Sequence, residues 1–354
     1  MNKTVLLWDY SLDRFFFEDV VDGISVQLFF WSSTFIEHEW KVMALTTKNR
    51  PQDNVISFIK LKESSFGFIM EWVNVFNVIR KFHPRLIIVR GADRKTFPIA
   101  ILSKWFNIKF VFFAASDVNF VPGKEQIGGN KLNRKLYQKS LCRIPYFVTQ
   151  NKFQQSNLLN VYGKTCLMLP NIWRVKTCTE SSEKTIDVIW VANFRRLKRA
   201  EWMVNAARKN PNLRFALIGR QSAEKEYYEQ IERDCSELGN IEFYGPLSFE
   251  KTNALVSQSN LLACTSEFEG FPNTFLQAWA YTIPVVSTVD PSNLIANNNL
   301  GLIVKDEDEF NSAICRLLEE FDDYKEKCQC INNYFQTNHS ANRNFEKLMN
   351  YIQE

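Results

Sequence analysis

In the second half of the chain, short apolar runs alternate with stretches whose apolar residues recur every three to four positions. Residues 187–192, 214–219, 241–244, 261–264, 284–287 and 302–304 are runs of strand length, and 201–209, 223–238 and 249–258 carry helical periodicity between them. Near-continuous apolar strands alternating with helices predict a parallel sheet covered on both faces. The first half repeats the pattern less regularly. Strands are predicted at 5–8, 42–46, 86–89, 110–114 and 146–149, with a long amphipathic helix at 68–82. Pro170-Asn171 marks the change of domain, and the polar stretch 176–184 reads as a linker. The expectation is an α/β chain of two Rossmann-like, doubly wound domains at 1–172 and 185–338. A linker over 173–184 joins them, and a last helix at 343–353 lies within the terminal segment 339–354.

Length and composition agree, since 354 residues at 45% hydrophobic content exceed what one core usually serves. The opening MNKTVLLWDYSLDR turns charged after one strand's length, too soon for a secretory segment. Charges interrupt every apolar stretch before it reaches membrane-spanning length, so the chain is expected to be cytoplasmic. The eight Cys lack paired zinc spacing and read as reduced thiols. His38, His83 and His339 are dispersed, and the acidic runs 306–309 and 322–323 fall at predicted helix starts, where carboxylates complement the dipole. No metal site is expected. The aromatic clusters Phe15-Phe16-Phe17 and Phe29-Phe30-Trp31 read as core or as the lining of a groove.

Charge is uneven: residues 1–172 hold 23 Lys+Arg against 13 Asp+Glu, and 173–354 hold 20 against 26. Lys131, Arg134, Lys135, Lys139 and Arg143 interleave with Leu132, Leu136, Tyr137 and Leu141 as an amphipathic helix with a cationic face. Such a helix suits an anionic membrane surface, and it equally suits plain solvation. Nucleic acid is disfavoured by the lack of any binding motif.

Two stretches carry chemistry. In TSEFEGFPNTFLQAWA, residues 265–280, an apolar strand runs into Glu269, Gly270, Phe271, Pro272, Asn273 and Thr274 at the mouth of a helix. Helix-start amides favour phosphate, and the Glu269 carboxylate can accept hydrogen bonds from sugar hydroxyls. A plainer reading makes Glu269 a solvated cap and Gln277 a surface residue. In WVANFRRLKRAE, residues 190–201, Arg195, Arg196, Lys198 and Arg199 place four cations at a strand-to-helix turn. Doubly wound sheets bind ligands at that edge, and fixed cations there stabilise a departing diphosphate. Gly219 and Arg220 end another strand; Arg220 belongs either to the phosphate pocket or to a pair with Glu224.

The run Glu269-Gly270-Phe271-Pro272-Asn273, then Gln277 and Ile283-Pro284-Val285-Val286, resembles the donor-binding signature of glycosyltransferase family 4. The resemblance implies the two-domain GT-B fold with a central cleft, retention at the anomeric carbon, no obligatory metal, and a nucleotide-diphosphate sugar donor, UDP- or GDP-linked. It implies that Glu269 contacts the transferred sugar and that Gln277, standing where the family has a second Glu, holds the ribose. Lys198 matches the family's diphosphate-binding Lys, while Asn193 occupies the position of its Arg, leaving Arg195 or Arg196 to supply the guanidinium. Gly219 and Arg220 fall in the region that borders the base and phosphates. The first domain departs further: Asp9-Tyr10-Ser11 replaces a Gly-rich loop, and Ser116-Asp117 stands where the family often has a His. Asp117 there is either a base for the acceptor hydroxyl or a turn residue. The resemblance implies a hexosyltransferase acting on a glycan or lipid-linked acceptor in surface polysaccharide synthesis, with its last helix packed back on the first domain. Its rivals are an impaired homologue that binds nucleotide sugar or glycan and a nucleotide-sugar 2-epimerase of the same fold.

Overall fold

The computed structural model describes residues 3–17, 23–46, 55–61, 67–125, 127, 131–174, 184–269 and 271–353. It divides into two compact units, one of residues 1–172 with 340–354 and one of residues 173–339.

The first unit runs β1 (Thr4–Leu7), α1 (Leu12–Phe17), α2 (Gly23–Glu37), β2 (Lys41–Thr46), β3 (Ile56–Lys60), α3 (Gly67–Phe82), β4 (Leu86–Arg90), α4 (Thr96–Trp105), β5 (Lys109–Phe113), α5 (Lys131–Leu141), β6 (Tyr146–Thr149), α6 (Lys152–Tyr162) and β7 (Leu167–Met168). Its seven strands are all parallel, in the order β3-β2-β1-β4-β5-β6-β7. The second unit runs β8 (Ile186–Val191), α7 (Glu201–Lys209), β9 (Phe215–Ile218), α8 (Lys225–Ser236), β10 (Ile241–Gly245), α9 (Phe249–Ser257), β11 (Ser259–Cys264), α10 (Asn273–Trp279), β12 (Val285–Ser287), α11 (Leu294–Asn298), β13 (Gly301–Ile303), α12 (Glu307–Glu319) and α13 (Phe321–Asn338). Its six strands are parallel too, ordered β10-β9-β8-β11-β12-β13. In both sheets the strand order reverses once, at β1/β4 and at β8/β11, which is the doubly wound arrangement.

The strands form where the apolar runs lie because both faces are covered: β1 and β4 are buried along their whole length. Helix starts follow local chemistry. Asn151 and Ser248 cap α6 and α9 by accepting the amides of Gln154 and Lys251. Asp306 caps α12 through the Glu309 amide at 2.8 Å, while the Glu309 carboxylate accepts the Lys305 amide at 2.9 Å, so this acidic run is a reciprocal cap. Asp323 pairs with the buried Lys327 at 2.7 Å. Among the described residues no group of His, Cys, Asp and Glu is arranged to hold a metal. Among the described residues no helix is long and apolar enough to cross a membrane.

Several elements lacked a readable period. Helix α2 buries Val26, Leu28, Phe30, Trp31 and Phe35 on more than one side, so no single apolar stripe marks it. Phe15 stacks on Phe29 with centroids 3.8 Å apart, and Phe16 meets Phe58 edge-on, so these aromatics pack against one another. The side chain of Phe17 lies outside the described residues. The last helix, α14 (Ala341–Gln353), sits in the first unit: Phe345 packs edge-on to Phe35 at 5.1 Å and Tyr351 to Tyr146 at 5.5 Å. At the start of the expected linker, Trp173 is buried against Phe249 in the second unit and its amide donates to the His339 carbonyl at 3.2 Å. Residues 175–183 lie outside the described residues.

Candidate active site

The reversal of strand order between β8 and β11 sets the site. The two strands pair in register, Ala263 opposite Trp190, so the segments that leave their carboxyl ends start side by side. A crevice opens at such a reversal because the flanking helices depart to opposite faces. After β8 the chain passes through a short 3-10 turn at Arg196–Lys198 before α7, and after β11 it passes Thr265–Glu269 before α10.

Across this junction Lys198 Nζ forms a salt bridge with Glu269 Oε1, their side chains 14% and 25% exposed. Ser266 Oγ donates to the same carboxylate oxygen at 3.2 Å. The segments are tied by backbone as well, the Glu267 amide donating to the Leu197 carbonyl at 2.8 Å. Buried Thr265 donates its hydroxyl to the Lys198 carbonyl at 2.6 Å and accepts the Trp190 indole N–H at 3.1 Å. Arg199 Nε donates to the Thr265 carbonyl at 2.6 Å, and the guanidinium lies 4.2 Å from the Trp202 ring. Arg199 holds a left-handed backbone, φ 49° and ψ 52°, which costs a residue with a Cβ about 1–2 kcal/mol. From the β12 side, Thr288 Oγ1 donates to the Ser266 carbonyl at 2.6 Å.

The remaining cations are disposed differently. Arg196 turns toward α8: its amide donates to Glu224 at 2.8 Å and its guanidinium stands 5.3 Å from the Tyr227 ring. Arg195 is exposed, its extended backbone capping the 3-10 turn. Arg220 does not pair with Glu224; its Nε donates to Asn193 Oδ1 at 3.2 Å, at the ends of β9 and β8. A Cβ on Gly219 would lie 1.7 Å from the Ala192 carbonyl oxygen, so only glycine lets these two strand ends approach.

On the β11 side, Pro272 stands at the N-cap of α10, with Asn273 and Thr274 opening the helix. Phe271 meets Phe275 and Trp279 edge-on at 6.4 and 6.2 Å, anchoring the segment to the buried face of α10. Gln277 is no surface residue: it is 4% exposed and its amide donates to Asn253 on α9 at 3.1 Å. Gly270 lies outside the described residues.

In the first unit, Asp117 opens a 3-10 turn after β5. It is exposed and accepts from Asn151 and Gln154 of α6, both at 2.9 Å. Sequence reasoning did not single out Arg90. Burial lowers its pKa to about 10, although the nearby Asp9 carboxylate favours the charged form. Its Nη2 donates to Asn171 at 2.9 Å beside a small cavity lined by Trp31, Phe113 and Gln150. Arg90 ends a predicted apolar strand, and a charge in that position was the available signal. Burial likewise raises the pKa of Asp9, whose carboxylate accepts the Ser11 amide at 2.6 Å in the turn after β1.

Residues 185–320 match the family model described as Glycosyl transferases group 1. An uncharacterized glycosyltransferase of Methanocaldococcus jannaschii is 22% identical over 253 residues, 63% of this chain and 60% of that protein. The match thus spans less than two thirds of that relative's length. Among solved structures, the sucrose-phosphate synthase of Thermosynechococcus elongatus is 16% identical with a TM-score of 0.68, covering 98% of both chains. Anabaena HepE in complex with UDP is 13% identical with a TM-score of 0.70, covering 98% of this chain and 99% of that one. The two parallel sheets of seven and six strands are those of the GT-B fold. Residues 185–320 of the second unit thus resemble a group 1 glycosyl transferase segment, and the two sheets have the GT-B fold.

Proposed function

We propose that the protein transfers a hexose-type sugar from a nucleotide-diphosphate sugar, UDP- or GDP-linked, to a glycan or lipid-linked acceptor, with retention and without a metal. The observation that carries this reading is the pairing of Lys198 with Glu269 at the strand-order reversal of the second unit. One group suits a phosphate and the other suits sugar hydroxyls, and in the absence of donor each neutralises the other. With donor bound, Lys198 stabilises charge on the departing diphosphate and Glu269 orients the sugar. Arg195, Arg196, Gly219 and Arg220 serve the phosphate and base side. The segment from Gly270 through Thr274 serves the sugar and phosphate, and Gln277 the ribose. Residues 185–338 are the donor domain and 1–172 the acceptor domain, where Asp117 receives the acceptor proton.

The stripe of exposed Lys131, Lys135 and Lys139 on α5, beside an exposed Leu132, supports a peripheral anionic membrane surface as the place of acceptor encounter. The bond from Gln277 to Asn253 favours a second reading, an impaired homologue that binds without transferring, because the ribose-facing amide is already engaged.

A panel of UDP, GDP, ADP, CMP and their sugars, read by thermal shift and then by sugar transfer, separates the two readings. Selective stabilisation by one diphosphate, with transfer lost in Glu269→Ala, supports the transferase. Stabilisation without transfer leaves the binding homologue, and no stabilisation by any nucleotide refutes the donor site.

A further inference from the structure

A lysine side chain is a point charge on a flexible four-carbon stem, so where its ammonium sits depends on how firmly its backbone is held. Both peptide groups of Lys198 are held. Its amide donates to the Arg195 carbonyl at 2.7 Å, and its carbonyl accepts the Thr265 hydroxyl at 2.6 Å. Thr265 has no surface exposure, and its hydroxyl is saturated by the Trp190 indole N–H at 3.1 Å. Its own carbonyl accepts Arg199 Nε at 2.6 Å. Arg199 adopts a left-handed conformation that glycine would take freely. The Arg199 side chain offsets the cost of that conformation by reaching across to the β11 segment, where Nε donates to the Thr265 carbonyl, and by lying over Trp202.

We infer that Thr265 and Arg199 form a clasp that positions Lys198 against the second phosphate of the donor, and that this clasp sets a preference for nucleoside diphosphates over monophosphates. The inference rests on the donor-site reading above. Thr265 and Arg199 are positioning residues: each acts through the Lys198 backbone. Thr265→Val keeps the volume but leaves the Lys198 carbonyl and the Trp190 N–H without partners inside the protein, where burying unpaired polar groups is costly. The segment then shifts to admit water, and the Lys198 ammonium loses its place. A ligand whose charge ends at the first phosphate does not register the change. One with a second phosphate does.

The test is calorimetric binding of UDP against UMP and of GDP against GMP, with wild type, Thr265→Val, Thr265→Ser and Arg199→Gly. An unfolded fraction weakens both ligands by the same factor and cancels in the ratio of their dissociation constants, so lost stability does not imitate lost selectivity. The wild type is expected to prefer one diphosphate. Thr265→Val and Arg199→Gly are each expected to weaken that diphosphate about tenfold, the size of one charge-assisted hydrogen bond, and to leave the monophosphate within about twofold. Thr265→Ser, which keeps the hydroxyl, restores the preference. Arg199→Gly suits the left-handed backbone and secures a folded variant even if Thr265→Val unfolds. An unchanged ratio of diphosphate to monophosphate affinity in Arg199→Gly and Thr265→Val overturns the clasp while leaving the donor site standing. So does a Thr265→Ser that behaves like Thr265→Val. A wild type with no preference for either diphosphate refutes the donor-site reading and the clasp together.

Discussion

Replacing Glu269 with Gln is expected to tighten the binding of a free nucleoside diphosphate while abolishing sugar transfer. The Glu269 carboxylate is the counter-ion of Lys198, and a diphosphate that binds Lys198 competes with it. The side chains are 14% and 25% exposed, so solvent still screens the pair, and its worth lies near the upper end for accessible ion pairs, about 1 kcal/mol. Gln has the same shape and can still accept the Ser266 hydroxyl, so the change removes mainly the charge. Freed of that competitor, Lys198 should bind the diphosphate about fivefold more tightly at low salt, since 1.4 kcal/mol corresponds to tenfold. The gain should shrink as ionic strength rises and the Debye length falls below about 8 Å. Transfer should disappear, because the group that orients the sugar hydroxyls has lost its charge. The assay is titration calorimetry with UDP and GDP at two salt concentrations, alongside sugar transfer. Equal or weaker diphosphate binding by Glu269→Gln at low salt would show that Lys198 and the diphosphate do not meet, and the reasoning fails.

Other outcomes follow from single contacts. Gly219→Ala drives a Cβ to 1.7 Å from the Ala192 carbonyl and should cost on the order of 3 kcal/mol or more, read as a lowered urea midpoint with unchanged slope. Trp279→Ala empties a site walled by Phe271, Phe275 and Tyr334 and should lose about 3–5 kcal/mol by the same measurement. Among the described cysteines Cys142 is exposed and should be alkylated first. Burial pushes the Cys235 thiol up to about 12 and raises that of Cys264, so neither should react in the native protein even at pH 9; peptide mapping checks this. Lys131→Glu, Lys135→Glu and Lys139→Glu together should abolish any cosedimentation with anionic vesicles and leave neutral-vesicle controls unchanged, each lysine being worth about 1 kcal/mol at such a surface.

Much of the second unit was legible along the chain. Helix α7 spans the predicted 201–209, and the six strands lie within two residues of their apolar runs, because a strand buried on both faces must be apolar throughout. Glu269 and Lys198 were legible for a related reason. Each is a charged residue in the segment between a buried strand and the next helix, after Val191 for Lys198 and after Cys264 for Glu269, where the local sequence announces a loop at a sheet edge. The first unit was harder to read, since α2 buries polar Ser25, Gln27, Ser32 and Thr34 along with its apolar residues and carries no stripe.

The tertiary structure decided what those residues do to one another. Lys198 and Glu269 stand 71 positions apart and meet because β8 and β11 are neighbours, a consequence of strand order. The same geometry chose among four adjacent cations. It sent Arg196 to Tyr227 and Arg199 to the Thr265 carbonyl, and left Lys198 for the carboxylate. It also buried Gln277 against Asn253 of α9, a helix that nothing in the local sequence pairs with α10. Periodicity and chain-local chemistry are written in consecutive residues. Hydrogen bonds that cross between strands depend on which strands become neighbours, and that is settled only when the whole sheet closes its core.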